Sequence, residues 1–425
     1  MSLSRNKKLW YGLLIGFMLS SCLSCFIFFP DDPKEPVDPT DPDTIPQLTL
    51  NVAWQIDNAF PDLRFMSLQD TYLMIPHFKQ GGLILADVRT GQELWRIENL
   101  FIPMSSAVMH NDTIYILGEF ADSDTTYLIL ISEAGVYKGR MSIEAERMSA
   151  RWLFLFGDYL FWTNNVLVKA DLSKEFVLLE GSTDTYDPEY NLTFYVPKMP
   201  DPERPHFRAM GDTVLKLGED IIFTYRDPYS SITWKEPTRV VRLNAHSLAE
   251  VWNYSTRKAR LFYQLDLALY KNKILLNGGM GVELIDSENP IGKDPYWVFD
   301  DIDHNHMGYP IIVGDSIYTA SYVRGAAVRA YSMEDGSLLW SLPNQSGADQ
   351  NPQWYNGVLY VSQPQGVLAV DTATGSWIGR DDNHPGYSEQ VNGTLVYENL
   401  FIHFTDQIPG TGGRVEALYM DVQPK

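Results

Sequence analysis

Leu83-Ile84-Leu85-Ala86-Asp87-Val88-Arg89-Thr90-Gly91-Gln92-Glu93-Leu94-Trp95 reads as two short strands joined at a turn. Apolar residues run up to Ala86, Asp87 to Gly91 supplies the turn chemistry, and a second run ends on tryptophan. The unit returns as Val328-Arg329-Ala330-Tyr331-Ser332-Met333-Glu334-Asp335-Gly336-Ser337-Leu338-Leu339-Trp340. A shorter copy runs from Val367 through Asp371 and Gly375 to Trp377, and a fourth from Val240 through Asn244 to Trp252. Weaker copies place turn-entry residues at Asp87, Ser132, Asp171, Asn244, Asp286, Ser332, Asp371 and Asp421. Most steps are about 40–50 residues, the size of one four-stranded unit, and one is longer because of an insertion at 181–211.

Upstream of each unit lies another hairpin, as in Gly314-Asp315-Ser316-Ile317-Tyr318 and Asn356-Gly357-Val358-Leu359-Tyr360. Two hairpins make one four-stranded antiparallel blade, and the repeats predict an all-β, eight-bladed β-propeller, with seven blades as the alternative count. The last unit, Val415 to Asp421, lacks a fourth strand, whereas Leu48 to Ile56, with Trp54, precedes the first blade. The N-terminal strand is therefore expected to complete the last blade, which removes both open sheet edges.

Hydrophobic residues make up 45% of the 425, enough for a large core, and the 13% that are aromatic favour strands. The formal charge of −21 repels phosphate backbones and argues against general nucleic-acid binding. Cysteine occurs only at 22 and 25, ahead of the repeats, so the repeats hold neither a disulfide nor a cysteine zinc site.

Arg5, Lys7 and Lys8 precede an apolar run from Leu9 to Leu19, the length of a signal-peptide core and short for a membrane span. Leu19-Ser20-Ser21-Cys22 then has the pattern of a bacterial lipobox: an aliphatic residue, two small residues that fit a narrow peptidase site, and a thiol to carry lipid. This predicts a signal peptide over 1–21 and lipidation at Cys22. Cys25 is a poorer acylation site, and an uncleaved anchor is the alternative, because Phe26-Ile27-Phe28-Phe29 extends the apolar stretch. Prolines at 30, 33, 36, 39 and 42 alternate with acids at the three-residue period of polyproline II. Such a self-repelling rod reaches on the order of 50 Å. Residues 22–47 are thus expected to form a lipidated tether and 48–425 the propeller, anchored to a membrane of the bacterial envelope.

The repeats resemble the PQQ-like propeller family, whose blades carry Ala, Asp, Thr-Gly and Trp in a tryptophan-docking pattern. Asp87, Thr90, Gly91 and Trp95 have the full spacing, with Leu85 in the Ala position; Ala369, Asp371, Thr374 and Gly375 fit its first half, and Trp377 arrives two residues early. The resemblance spans 48–425 and implies that Trp54, Trp95, Trp252, Trp340 and Trp377 pack between blades. Quinoprotein dehydrogenases of this family hold their cofactor over adjacent cysteines with calcium; this chain has no such pair, and no cofactor is expected. In length, lipobox and blade count it is more similar to the family's lipoprotein branch, which serves outer-membrane β-barrel assembly. That similarity implies a non-enzymatic scaffold for envelope proteins.

Catalytic motifs are absent: there is no Gly-x-Ser-x-Gly elbow, phosphate loop or His-Glu-x-x-His. Asp301, Asp303 and Asn305 match the first ligands of a calcium loop, but His306 stands where glycine is needed and Ile312 where the bidentate Glu belongs. Asp301, Asp303, His304 and His306 are weak candidates, and no metal is expected. Loop additions at 119–126, 181–211, 226–237 and 406–413 are expected on one face of the ring. The 181–211 addition carries Tyr186, Tyr190, Phe194, Tyr195 and Phe207 beside Arg204 and Arg208, and Arg257, Lys258 and Arg260 follow blade 4. Aromatic and arginine side chains are what buried interface cores favour, so an envelope protein partner is expected there. The competing readings are an insertion that packs on its own blade, and an enzyme or a carbohydrate or small-ligand binder using the central channel or the loop face.

Overall fold

A computed structural model describes residues 45–59, 65–77, 80–121, 123, 125–143, 153–163, 167–195, 208–209, 214–226, 239–257, 261–279, 282–299, 310–320, 327–343, 352–363, 365–385, 394–405 and 413–424. Their strands form eight sheets, each built on four antiparallel strands, which is the eight-bladed propeller expected. Blades 1 to 7 span 67–98, 102–143, 153–195, 208–255, 261–299, 311–343 and 353–381, and blade 8 takes 395–419. Polar turn residues accept positive φ between first and second strands, as at Asn111 (47°) and Asp112 (57°) or Asn356 (45°) and Gly357 (83°). That conformation matches the twist of a two-residue hairpin.

The apolar core is divided into eight layers, one between each pair of successive blades. Alternate residues of one strand serve two layers. In Gly82–Asp87, Leu83 and Leu85 pack towards blade 2, whereas Ile84 and Ala86 pack towards blade 8. In Val358–Gln363, Leu359 and Val361 face blade 6 while Val358 and Tyr360 face blade 8. The middle strands are covered on both faces, which is why they read as continuous apolar runs rather than alternating ones. The layer formed by Trp54, Ile56, Leu400, Phe404, Leu73, Ile75 and Val88 joins blade 8 to blade 1 and closes the ring.

Closure uses the N-terminal strand, as expected. Val52–Asp57 pairs antiparallel with Arg414–Tyr419 and is the fourth strand of blade 8. In the last unit Tyr419, not Asp421, occupies the turn-entry register, since it pairs with Leu400 as Asp371 pairs with Val358. No tight turn follows, because the next strand arrives from the other end of the chain. Just before it, residues 46–48 lie along the fourth strand of blade 7: Leu48 N donates to Arg380 O and Arg380 N to Pro46 O, both at 2.9 Å.

Among the described residues, tryptophans seal five of the eight seams. The indole N–H of Trp54 donates to Val88 O at 2.8 Å, Trp95 to Glu133 O at 2.6 Å, Trp252 to Ser287 O at 3.2 Å, Trp297 to Met333 O at 3.0 Å and Trp340 to Thr372 O at 3.1 Å. Each acceptor lies in the third-to-fourth strand turn of the next blade. Four of the rings lie against a turn glycine at positive φ: a Cβ on Gly91, Gly135, Gly336 or Gly375 would come within 2.4–2.9 Å of the indole above it. The turn glycine of the repeat is therefore a floor for the neighbour's tryptophan. Trp297 was not singled out from the sequence, because its turn is spread over 287–296 and hides the spacing.

Two seams lack the tryptophan and use a glycine with an added segment instead. The docking register falls on Gly139 in blade 2 and Gly379 in blade 7, opposite Leu130 and Ala369. A Cβ at Gly139 would lie 2.6 Å from the Tyr186 ring, and one at Gly379 would lie 2.9 Å from Leu48 Cβ. Each glycine thus makes room for a residue brought alongside in parallel. Trp377, two residues short of the docking register, packs instead on the layer between blades 6 and 7.

Candidate functional site

The 181–211 addition lies differently from its expected place. Blade 3's third strand ends at Asp171 and its fourth, Leu192–Tyr195, begins within the segment. Residues 181–191 of the addition therefore belong to the third-to-fourth strand connection, 172–191. In a meander such connections leave a blade at the end opposite the inter-blade loops, so this part does not share the end from which Arg257 emerges. Repeat spacing cannot distinguish extra residues before a strand from extra residues after it.

Thr185–Tyr186 pairs in parallel with Tyr137–Ile143 and adds a fifth strand to blade 2. The Tyr186 hydroxyl donates to Lys138 O at 3.2 Å, and its ring packs edge-on against Phe176 at 5.4 Å. Asp184 anchors the same junction: its backbone carbonyl accepts from Arg140 N at 2.8 Å and its carboxylate accepts the Tyr137 hydroxyl at 3.2 Å. The Arg140 guanidinium stacks on Phe120 and Tyr127, at 4.5 and 4.8 Å from their ring centres. Burial pushes the Tyr137 hydroxyl well above its usual range, and the Asp184 carboxylate adds to the shift, so it stays protonated as a donor. This aromatic and arginine cluster ties the addition to blade 2.

Beyond it, Asp187 caps the helical turn Pro188–Asn191 by accepting from Glu189 N at 3.0 Å. Tyr190 lies in that turn. Tyr195 donates to Glu250 of blade 4 at 2.9 Å, and burial followed by this carboxylate raises its hydroxyl pKa. Phe194 points outward and is 48% exposed, and Val177, Leu178 and Leu179 in the same segment are 37%, 45% and 46% exposed. Arg208 begins a two-residue strand that pairs with Asp220–Arg226. Arg257 is exposed and pairs with Asp294 at 2.5 Å. Arg204, Phe207, Lys258 and Arg260 lie outside the described residues, as do Asp301, Asp303, His304 and His306. The segment thus holds a fixed part, Tyr186 and Tyr195, and an outward apolar part, Val177 to Leu179 and Phe194.

Residues 238–420 match the family model described as outer membrane protein assembly factor BamB. The chain resembles the BamB-type propellers. BamB from Moraxella catarrhalis superposes with a TM-score of 0.60 at 12% identity, over 87% of this chain and 100% of that one. The quinohemoprotein alcohol dehydrogenase of Comamonas testosteroni gives 0.58 at 12% identity, over 88% and 78%. The computationally designed Ika8 protein gives 0.55 at 10% identity, over 88% and 99%. No curated protein sequence matches the chain. At such identities the superpositions show the BamB-like fold alone, a fold that carries enzymes as well as scaffolds.

Proposed function

We propose that this BamB-like chain is a lipid-anchored propeller of the bacterial cell envelope that binds other envelope proteins during outer-membrane protein assembly. The observation that carries the proposal is the match of 238–420 to the BamB family model. The ring supplies what a scaffold needs, a rigid body with its core split over eight layers and outward apolar side chains on blade 3. The proposed contact surface is the outward apolar strip of Val177, Leu178, Leu179 and Phe194, and the basic stretch of sequence that begins with the exposed Arg257 is proposed to attract an acidic partner as a separate patch.

Photo-crosslinking in intact envelopes from Leu178 and Phe194 is expected to give adducts with an outer-membrane assembly protein. With the crosslinker at Val177, the double variant Leu178→Ser and Phe194→Ser should lower the yield at least tenfold while leaving the melting temperature within about 2 °C, since both side chains are exposed. Reversal of Arg257, Lys258 and Arg260 to Glu should reduce capture most at low salt. Adducts that persist in both variants would place the partner elsewhere, and the absence of any adduct with envelope proteins from either position would overturn the scaffold reading.

Anchoring is tested separately. Cys22→Ala should abolish incorporation of labelled fatty acid and leave an unprocessed precursor, whereas Cys25→Ala should be labelled as the parent is. Loss of label only in the Cys25 variant would move the site, and unchanged size in both would favour an uncleaved span.

A further inference from the structure

The seam between blades 7 and 8 brings two histidines onto one buried carboxylate. His403 pairs across the strands with Glu416. In the same register blades 1, 2, 3, 4 and 7 place Ile75 with Ile84, Ile116 with Ile129, Trp162 with Val168, Phe223 with Val241, and Val361 with Leu368, whereas blades 5 and 6 place Leu276 with Glu283 and Thr319 with Arg329. His403 and Glu416 share the strand face of Phe401 and Leu418, which looks into the blade 7–8 layer, and they are 1% and 2% exposed. His384, in the connector from blade 7, reaches the same place.

The geometry is that of a ligand set. His384 Nδ1 lies 3.1 Å from Glu416 Oε1, and His403 Nε2 lies 3.2 Å from the same oxygen. The three ligand atoms all fall within 4.8 Å of one another. Beyond this contact of Nε2 with Glu416, neither ring nitrogen of His403 makes a hydrogen bond. An imidazole buried this way in an apolar layer costs stability unless something engages it. Tetrahedral zinc with bonds of about 2.0–2.1 Å holds its ligand atoms about 3.3 Å apart, and two imidazoles with one carboxylate are a recurrent zinc donor set. The outer contacts agree: the other nitrogen of His384 faces Asp381 Oδ2 at 3.8 Å, and Asp381 is fully buried. Metal-bound histidines usually turn their second nitrogen to such a carboxylate. Mixed nitrogen and oxygen donors favour zinc-class ions over calcium or magnesium, which take oxygen.

We propose that His384, His403 and Glu416 bind one divalent transition metal of the zinc class, which clamps the closing seam of the propeller. The clamp joins the blade 7 connector to the central hairpin of blade 8. Through Asp381, which accepts from Leu50 N at 2.5 Å, it also steadies the N-terminal segment that completes the ring.

The test uses the full chain, stripped with chelator and dialysed. Zn2+ is expected to bind at one ion per chain in calorimetric titration and to raise the melting temperature progressively with concentration. Co2+ should give the intense visible absorption of a four-coordinate site. His384→Gln, on the connector and outside the strands, should weaken Zn2+ binding at least a hundredfold. The double variant His403→Leu and Glu416→Leu installs the apolar pair found in blades 1, 2, 3, 4 and 7; it should fold and show no thermal response to Zn2+. Absence of Zn2+ binding by the parent would overturn the proposal, as would equal binding by parent and both variants, or a thermal response to Ca2+ in place of Zn2+.

Discussion

Deletion of residues 48–57 should cost the chain its cooperative fold. The segment buries Leu50, Trp54 and Ile56 at 2%, 7% and 5% exposure. It supplies the fourth strand of blade 8, the tryptophan that docks on Val88 and Gly91 of blade 1, and the cover over Gly379 of blade 7. Burial of an aliphatic side chain is worth about 1.5–3 kcal/mol, and loss of a buried tryptophan costs about 3–5 kcal/mol. The total, on the order of 5 kcal/mol or more, is comparable to the whole stability of many domains. The deletion also bares the edge of Arg414–Tyr419 and opens the ring. The expected result is a broad, early thermal transition with aggregates in sedimentation, partly rescued by a synthetic peptide of residues 45–59. A soluble protein that melts sharply at the parent's temperature would show that the ring holds without this strand.

The second large effect is expected at Trp297. It is 9% exposed, its N–H donates to Met333 O, and its ring lies on Gly336. Trp297→Ala should destabilise the protein by about 3–5 kcal/mol. If the ring unfolds as one unit, this lowers the melting temperature by about 4–6 °C, small per kcal/mol because a large chain has a large unfolding entropy. Trp377→Ala should cost less than half as much, since Trp377 is only partly buried and lies two residues outside the docking register. Equal losses from the two variants in calorimetry would mean that register does not decide a tryptophan's contribution.

The contrast between these tryptophans marks how far the repeat could be read. Trp95 and Trp340 follow their turns at nearly constant spacing, and the structure has them docked in register. Trp297 does the same work after a turn lengthened to 287–296, so spacing concealed it. Gly139 and Gly379 carry no sequence mark at all. Their meaning depends on Tyr186 and Leu48, which arrive from distant parts of the chain. The His384, His403 and Glu416 cluster has no sequence mark for the same reason, being spread over three segments, whereas the stretch from Asp301 to His306 stands out because its spacing is local.

The sequence by itself determined the blade, the blade count and the closing strand, because strand alternation, turn chemistry and repeat length are local properties that recur along the chain. Tertiary structure alone decided which faces those strands share, where the addition after Asp171 lies, and which seams depart from the tryptophan rule. These are pairings between segments far apart in the chain, and a side chain's partner across a seam is set by the register of two sheets rather than by its own neighbours in sequence.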